Sequence, residues 1–296
     1  MSWKLGFVGL GAMGGGMSSN LARAGHAIHV YDRMANAVER VVGAGAIAEE
    51  SAAAVASKVD ILFLCLPDAE PVAETMFEPN GVADNAADGL RIIDHTTMNR
   101  AAAVDIATRA QARGIAYADC PVSGGPAGAD AGTLTVMFGG DESLFDSVKP
   151  LLEITGDALS YCGELGSGQL MKAINNIIYD VNIAAICEVV PLALKAGLDP
   201  DVLCDVVTSG SSRSYASQNF VPKIRQRQFS GDFPMQAAYK DILNVQEVAT
   251  ELRAPTPVVN AMIAVYQQAL TAGYGADPKS SIIKLYEQAL GVELKE

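Results

Sequence analysis

The feature that most constrains this chain is a run of glycines within its first sixteen residues. An apolar stretch, Lys4–Gly9, leads straight into Gly9-Leu10-Gly11-Ala12-Met13-Gly14, and a helical stretch, Met13–Ala24, follows and is closed by Gly25. The spacing G-x-G-x-x-G between a strand and a helix suits a dinucleotide. The first glycine permits the tight turn, the second lets the backbone approach a pyrophosphate, and the third lets the helix pack close to the strand. The helix N-terminus then offers N–H groups and a partial positive charge to the phosphates. Alone, the motif equally describes a tight turn with no ligand. Asp32 supports the binding reading, because it ends the second apolar stretch, Ala27–Tyr31, where an acid accepts hydrogen bonds from ribose hydroxyls. Its charge repels a 2′-phosphate, which favours NAD; Arg33, next in the chain, can pair with such a phosphate and keeps NADP open. Gly15 and Gly16 extend the run into the helix, each at about 1 kcal/mol against alanine. Close approach by the cofactor or by a neighbouring element would explain them.

The same alternation continues through the first half. Asp60–Leu66, Leu90–Asp94, Ile115–Asp119 and Thr133–Phe138 read as strands, with helical stretches at Arg100–Arg113 and Glu142–Leu152. Such alternation implies βαβ units and a mostly parallel sheet. Beyond Gly163 the pattern becomes helical: Gln169–Ala196 with an interruption at Pro191, then Pro200–Val207, Gln236–Leu252, Pro257–Ala272 and Ser280–Leu290. The expected fold is α/β, a Rossmann doubly wound parallel sheet over residues 1–163 followed by an all-α domain over 164–296 for substrate and oligomer contacts. Leu66-Pro67 lies where the third strand exits. It serves either as a wall against the cofactor or as an ordinary strand exit.

Composition narrows the function classes. The net charge is −13 and no long basic run occurs, which argues against nucleic-acid binding. An anionic ligand must then meet local positive potential from helix N-termini or a few placed cations. Five cysteines, an odd number with no CxxC pair, fit reduced thiols in a cytoplasmic protein and neither a disulfide framework nor a metal site. The N-terminus enters a strand without a cleavable signal pattern. The apolar run Ile61–Pro67 is too short to span a bilayer, so no membrane association is expected.

Three further segments carry chemistry. They are Asp119-Cys120-Pro121-Val122-Ser123-Gly124-Gly125-Pro126-Ala127-Gly128-Ala129, then Gly166-Ser167-Gly168-Gln169-Leu170-Met171-Lys172-Ala173-Ile174-Asn175-Asn176, then Lys240-Asp241-Ile242. In the first, a hydroxyl beside a glycine pair can hold a carboxylate, since backbone amides in such a concavity form a small anion site. In the second, Lys172 and Asn176 stand four apart on a helix and share one face.

With the glycine turn, these segments resemble the β-hydroxyacid dehydrogenase family along essentially the whole chain and in the same order. That family includes 3-hydroxyisobutyrate dehydrogenases and tartronate semialdehyde reductases. The resemblance implies a 6-phosphogluconate dehydrogenase-like architecture and hydride transfer between NAD and a small 3-hydroxy acid lying between the domains. It further implies that Ser123, Gly124 and Gly125 hold the substrate carboxylate. Lys172 would be the general acid/base, Asn176 would position the reacting group, and Lys240 would reach the cofactor or substrate, with Asp241 as an anchor. Alcohol oxidation needs a base for the hydroxyl proton. A lysine is too basic in water, but burial or a neighbouring cation lowers its pKa.

Asp94-His95-Thr96-Thr97-Met98-Asn99 parallels a family stretch whose hydroxyls, here Thr96 and Thr97, contact cofactor or substrate. Asn99-Arg100 departs from the usual Ser-Pro ending there, and His95 has no family role and reads as structural. Arg213 lies in Ser209–Phe233, where members differ by substrate; it would pair with an anionic tail, or else lie at the surface or a subunit interface. A homodimer or homotetramer is implied. Two other readings compete. An imine reductase-like enzyme shares the architecture but normally lacks this lysine, and a non-catalytic dinucleotide-binding regulator would not need Lys172, Asn176 and the Ser123 turn together.

Overall fold

The computed structural model describes residues 3–231 and 233–295, and the chain divides into two compact units, Met1–Lys172 and Ala173–Glu296. The first unit is built on strands β1 (Leu5–Val8), β2 (Ile28–Tyr31), β3 (Ile47–Ala48), β4 (Ile61–Leu64), β5 (Arg91–Asp94), β6 (Ala116–Asp119), β7 (Val122–Ser123), β8 (Thr135–Gly139) and β9 (Ala158–Gly163). Their order is β3-β2-β1-β4-β5-β6-β8-β7, with β9 beside β8. Pairing is parallel from β3 to β6. At the far edge β8 runs antiparallel to both β6 and β7, and β9 runs parallel to β8. The sheet is thus mostly parallel, as expected, with a mixed edge that the strand pattern did not specify. The chain leaves β1 toward β2 on one side and resumes at β4 on the other, so the strand order reverses at β1. Ligands of doubly wound sheets bind outside the C-terminal strand ends at such a point.

Strands β1 and β4 are buried along their whole length, as befits strands covered on both faces. Because successive side chains point to opposite faces, Leu5, Phe7, Ile61 and Phe63 enter one core while Val8, Leu62 and Leu64 enter another. Helices α1 (Gly14–Arg23), α2 (Ala35–Val42), α3 (Ala52–Ala56), α4 (Ala69–Phe77), α5 (Arg100–Gln111), α6 (Gly125–Ala131) and α7 (Glu142–Leu152) connect the strands. The side chains of Ser51, Asp68, Asn99 and Asp141 accept N–H groups at the starts of α3, α4, α5 and α7. Asn99 thus caps a helix where the family stretch usually reads Ser-Pro.

Helix α8 (Ser167–Lys195) begins before the division at 172/173. The second unit continues with α9 (Pro200–Ser209), α10 (Tyr215–Arg225), α11 (Met235–Glu251), α12 (Pro257–Thr271), a 3-10 turn at Lys279–Ile282 and α13 (Ile283–Leu290). The interruption expected at Pro191 is absent: α8 runs through it. A mid-helix proline forfeits one backbone bond, at about 3 kcal/mol. Packing offsets this, since Pro191 is buried beside Val190 and Cys187, both in the core. By length and composition α8 could cross a membrane, unlike Ile61–Pro67, but it supplies Ile177, Ile183, Ala184, Cys187 and Val190 to the core of the second unit. Helix α10, with Pro222 inside it, was not foreseen; Ser214 and Ser217 start it with a reciprocal capping box. All five cysteines are free thiols.

Candidate active site

The glycine turn is held from several sides. Gly9 has φ 92°, and a Cβ there would strike the Cys65 carbonyl, while a Cβ on Gly14 would strike the Gly9 carbonyl. Around Gly11 a Cβ would meet only open space, and Gly11 and Ala12 are exposed. That gap, at the mouth of a helix N-terminus, fits the approach of a pyrophosphate. Leu10 is buried. Its N–H donates to Asp32 Oδ2 at 2.6 Å, and the other Asp32 oxygen accepts the Met34 N–H at 2.7 Å. Asp32 therefore braces the turn with two of its lone pairs and retains others for a ribose.

Arg40, from α2, donates to the carbonyls of Leu10 and Gly11, each at 2.9 Å. No local sequence pattern marked it, because it lies on a helix remote in sequence from the turn. It explains Gly15, where a Cβ would enter the Arg40 guanidinium. Gly16 answers to another neighbour: a Cβ there would lie 2.7 Å from the Ala129 carbonyl carbon, and Asn20 donates to the Ala129 carbonyl oxygen at 2.9 Å. Neighbouring elements account for both extra glycines. Arg33 is exposed and pairs with Glu74 of α4 at 3.3 Å.

Next along the sheet edge, Leu66 donates its N–H to Thr96 Oγ1 at 3.0 Å, and Thr96 is buried; Pro67 is exposed and Thr97 half-buried. Asp94 accepts the Thr96 N–H at 2.8 Å and the Tyr117 hydroxyl. Burial pushes the Asp94 carboxyl up to about 6, against the hydrogen bonds from Thr96 and Tyr117. His95 lies in the core, stacked on Phe63 at 5.7 Å, with Nδ1 donating to the Cys120 carbonyl at 2.6 Å. Burial pushes it down to about 4, so it is neutral near pH 7 and structural, as read from the sequence.

Asp119, at the end of β6, accepts the N–H groups of Gly166 at 2.6 Å and Gln169 at 2.7 Å, and so caps α8. Burial pushes this carboxyl up to about 6 as well. Both carboxylates hold protons more tightly folded than unfolded. Between about pH 4 and pH 6 the folded state therefore binds these extra protons, and their contribution to stability falls as pH rises through that window, whereas the neutral, buried His95 contributes in the opposite sense. From pH 7 to pH 5 each carboxylate should add roughly 1.3 kcal/mol of stability while His95 removes roughly 1.8 kcal/mol, so the net rise is roughly 1 kcal/mol and Asp94→Asn should abolish it. Urea midpoints of wild type and Asp94→Asn across that range measure the difference, and identical pH profiles would remove the effect.

The remaining candidates fall in two places. In the first unit Ser123 ends β7, and Gly124 and Gly125 follow with φ 137° and 66°, a turn open only to glycine, leading into α6. Lys172 is half-buried on α8, three residues after Gln169. In the second unit Asn176 is half-buried and donates to Asp241 Oδ2 of α11 at 3.3 Å, so Asp241 anchors the asparagine. Lys240 is exposed beside it, and Arg213 is exposed between α9 and α10. Arg40, Asp94, Asp119 and Gln169 were not among the expected site residues, although the last three stood inside the quoted segments.

A family model described as the NAD binding domain of 6-phosphogluconate dehydrogenase matches residues 4–163. A second, described as NAD-binding of NADP-dependent 3-hydroxyisobutyrate dehydrogenase, matches residues 166–286. The chain belongs to the β-hydroxyacid dehydrogenase family. As a member it is an NAD(P)-dependent oxidoreductase with a Rossmann-type first part and a helical second part. This β-hydroxyacid dehydrogenase is 35% identical over 294 residues to 2-(hydroxymethyl)glutarate dehydrogenase of Eubacterium barkeri, covering 99% of this chain and 98% of that one. It is 37% identical over 239 residues to 2-hydroxy-3-oxopropionate reductase of Escherichia coli, covering 81% and 82%. Among solved structures it resembles a Mycobacterium tuberculosis 3-hydroxyisobutyrate dehydrogenase with L-serine, at TM-score 0.85 and 29% identity over 96% of this chain and 99% of that one.

Proposed function

We propose that this β-hydroxyacid dehydrogenase interconverts a small 3-hydroxy acid and its semialdehyde, with NAD preferred. The observation that carries the reading is positional. The Gly9–Gly14 turn, the Leu66 and Thr96 strand exits and the Asp119-capped start of α8, one turn before Lys172, all hang on C-terminal strand ends of one sheet. The glycine turn, with Ala12 and Met13, would cradle the pyrophosphate, Asp32 the ribose, and Leu66, Pro67 and Thr96 the nicotinamide side. Asp32 disfavours a 2′-phosphate, and the pairing of Arg33 with Glu74 withdraws a cation that would welcome one.

The bound dinucleotide supplies or accepts the hydride. Ser123, Gly124, Gly125 and Thr97 hold the substrate carboxylate. In oxidation Lys172, as the neutral amine, takes the hydroxyl proton as hydride leaves the carbon; in reduction its ammonium returns a proton to the developing alkoxide. Asn176, steadied by Asp241, orients the reacting oxygen, Lys240 contacts cofactor or substrate, and Arg213 meets a second anionic group. The dinucleotide part corresponds to 1–163 and the helical part to 164–296. Ile178 and Leu192 on α8 and Val202 and Val206 on α9 are exposed apolar side chains, which suits a homo-oligomer. A cytoplasmic location is in keeping with the free thiols.

The test is NADH formation with NAD and a panel of 3-hydroxyisobutyrate, 3-hydroxypropionate, glycerate, serine, threonate, 2-(hydroxymethyl)glutarate and a sulfonate analogue. Rapid turnover of one acid, slower with NADP, is the expected result. No turnover of any acid by protein that binds NAD would overturn the substrate class.

A further inference from the structure

Gln169 has a larger share in this site than its place in the motif suggests. It is 2% exposed, and its amide makes both possible kinds of bond to one loop: Nε2 donates to the Thr96 carbonyl at 2.6 Å, and Oε1 accepts the Met98 N–H at 3.1 Å. Its own N–H is taken by Asp119. Two glycines permit this approach. A Cβ on Gly168 would lie 2.5 Å from the Met137 carbonyl, and one on Gly139 would lie 2.6 Å from Asp119 and from the Gly168 nitrogen. The loop that Gln169 grips is itself tied to the β4 exit through Leu66 and Thr96. Hydrogen bonds therefore run from the β4 exit, through the β5 exit, to the first turn of α8.

We infer that Gln169 is a positioning residue, which sets Lys172 in register with the Thr96–Met98 strand exit. The inference rests on the reading of Lys172 as the proton-transfer group. Lys172 stands three residues further along the same helix, so it moves with Gln169. A displacement of about 1 Å at a reacting group costs on the order of 100-fold in rate. An apolar side chain of the same shape would leave the buried Thr96 carbonyl and Met98 N–H unpaired, so the amide holds this loop as well as filling the space. At neutral pH an amide donates to the Thr96 carbonyl and accepts from the Met98 N–H at once, whereas a carboxylate in its place could only accept.

The test uses the full chain. In Gln169→Met, kcat for the preferred acid should fall about 10–100-fold. NADH affinity, followed by fluorescence titration, should stay within about twofold. The isotope effect with deuterated NADH should rise as chemistry becomes rate-limiting. Amide hydrogen exchange in the first turn of α8 should quicken about tenfold, a readout that needs no substrate.

Gln169→Glu covers the case in which the methionine variant does not fold. Its carboxyl reproduces the amide pattern only when protonated, so its rate of semialdehyde reduction relative to wild type should climb about tenfold or more from pH 8 to pH 5.5. A steady ratio, a kcat within twofold of wild type, or unchanged exchange would each overturn the inference. Lys172→Ala separates the two claims. If it retains wild-type turnover, the reading of Lys172 fails; if it is inactive while the Gln169 variants turn over within twofold of wild type, the positioning role alone fails.

Discussion

Lys172→Ala should lower kcat by about 10²–10⁴-fold, the usual contribution of a general acid/base. NADH affinity should be retained, since the glycine turn, Asp32 and Arg40 lie elsewhere and are braced by one another. The pH dependence separates lost chemistry from lost structure. Oxidation requires the neutral amine and rises with pH, whereas reduction requires the ammonium and falls with pH. Both dependences should vanish in Lys172→Ala and survive, at a lower rate, in Gln169→Met. Added primary amines should restore part of the activity to Lys172→Ala. Full activity in that variant would remove the lysine from the mechanism.

Lys279→Met should destabilise the second unit by about 3–5 kcal/mol. Lys279 is 6% exposed, and its ammonium lies 2.5 Å from the Oδ1 of Asp180, which is fully buried on α8. The Tyr179 ring lies 4.7 Å from the same ammonium. Loss of the cation leaves the buried Asp180 carboxylate without the lysine's compensating charge, which costs far more than the pair itself gains. The double change Lys279→Met with Asp180→Leu should therefore recover most of the loss, because apolar replacement of a buried pair is often neutral or better. Urea midpoints of the two single variants and the double variant form the cycle. A single variant within about 1 kcal/mol of wild type would show that water reaches the pair.

These two lysines mark what sequence reading can single out and where it stops. Lys172 was singled out because it lies in a contiguous segment that resembles the family's, with Asn176 at helical spacing from it. Lys279 was not, because its partner is remote in sequence and an isolated lysine reads as a solvated one. The fingerprint behaved similarly. Gly9 and Gly14 were readable from local turn geometry. The reason for Gly15 and Gly16 was left open until Arg40 and the α6 backbone were seen against them. Pro191 read as a break because local propensity disfavours it, yet burial in the core carries α8 through.

By itself the sequence determined the alternation of strands and helices, the dinucleotide turn with its acid, and the short segments that place the chain in its family. Each is written in neighbouring residues, where dihedral preference and periodicity act. Tertiary structure decided what those segments rest on: the antiparallel pairing of β7 and β8 at the sheet edge, the Arg40 brace, the Asp119 cap with the Gln169 tie, and the buried Asp180–Lys279 pair. Such contacts join residues far apart in the chain. Their energies depend on burial and on the desolvation of buried charge, and neither exists until the chain has folded.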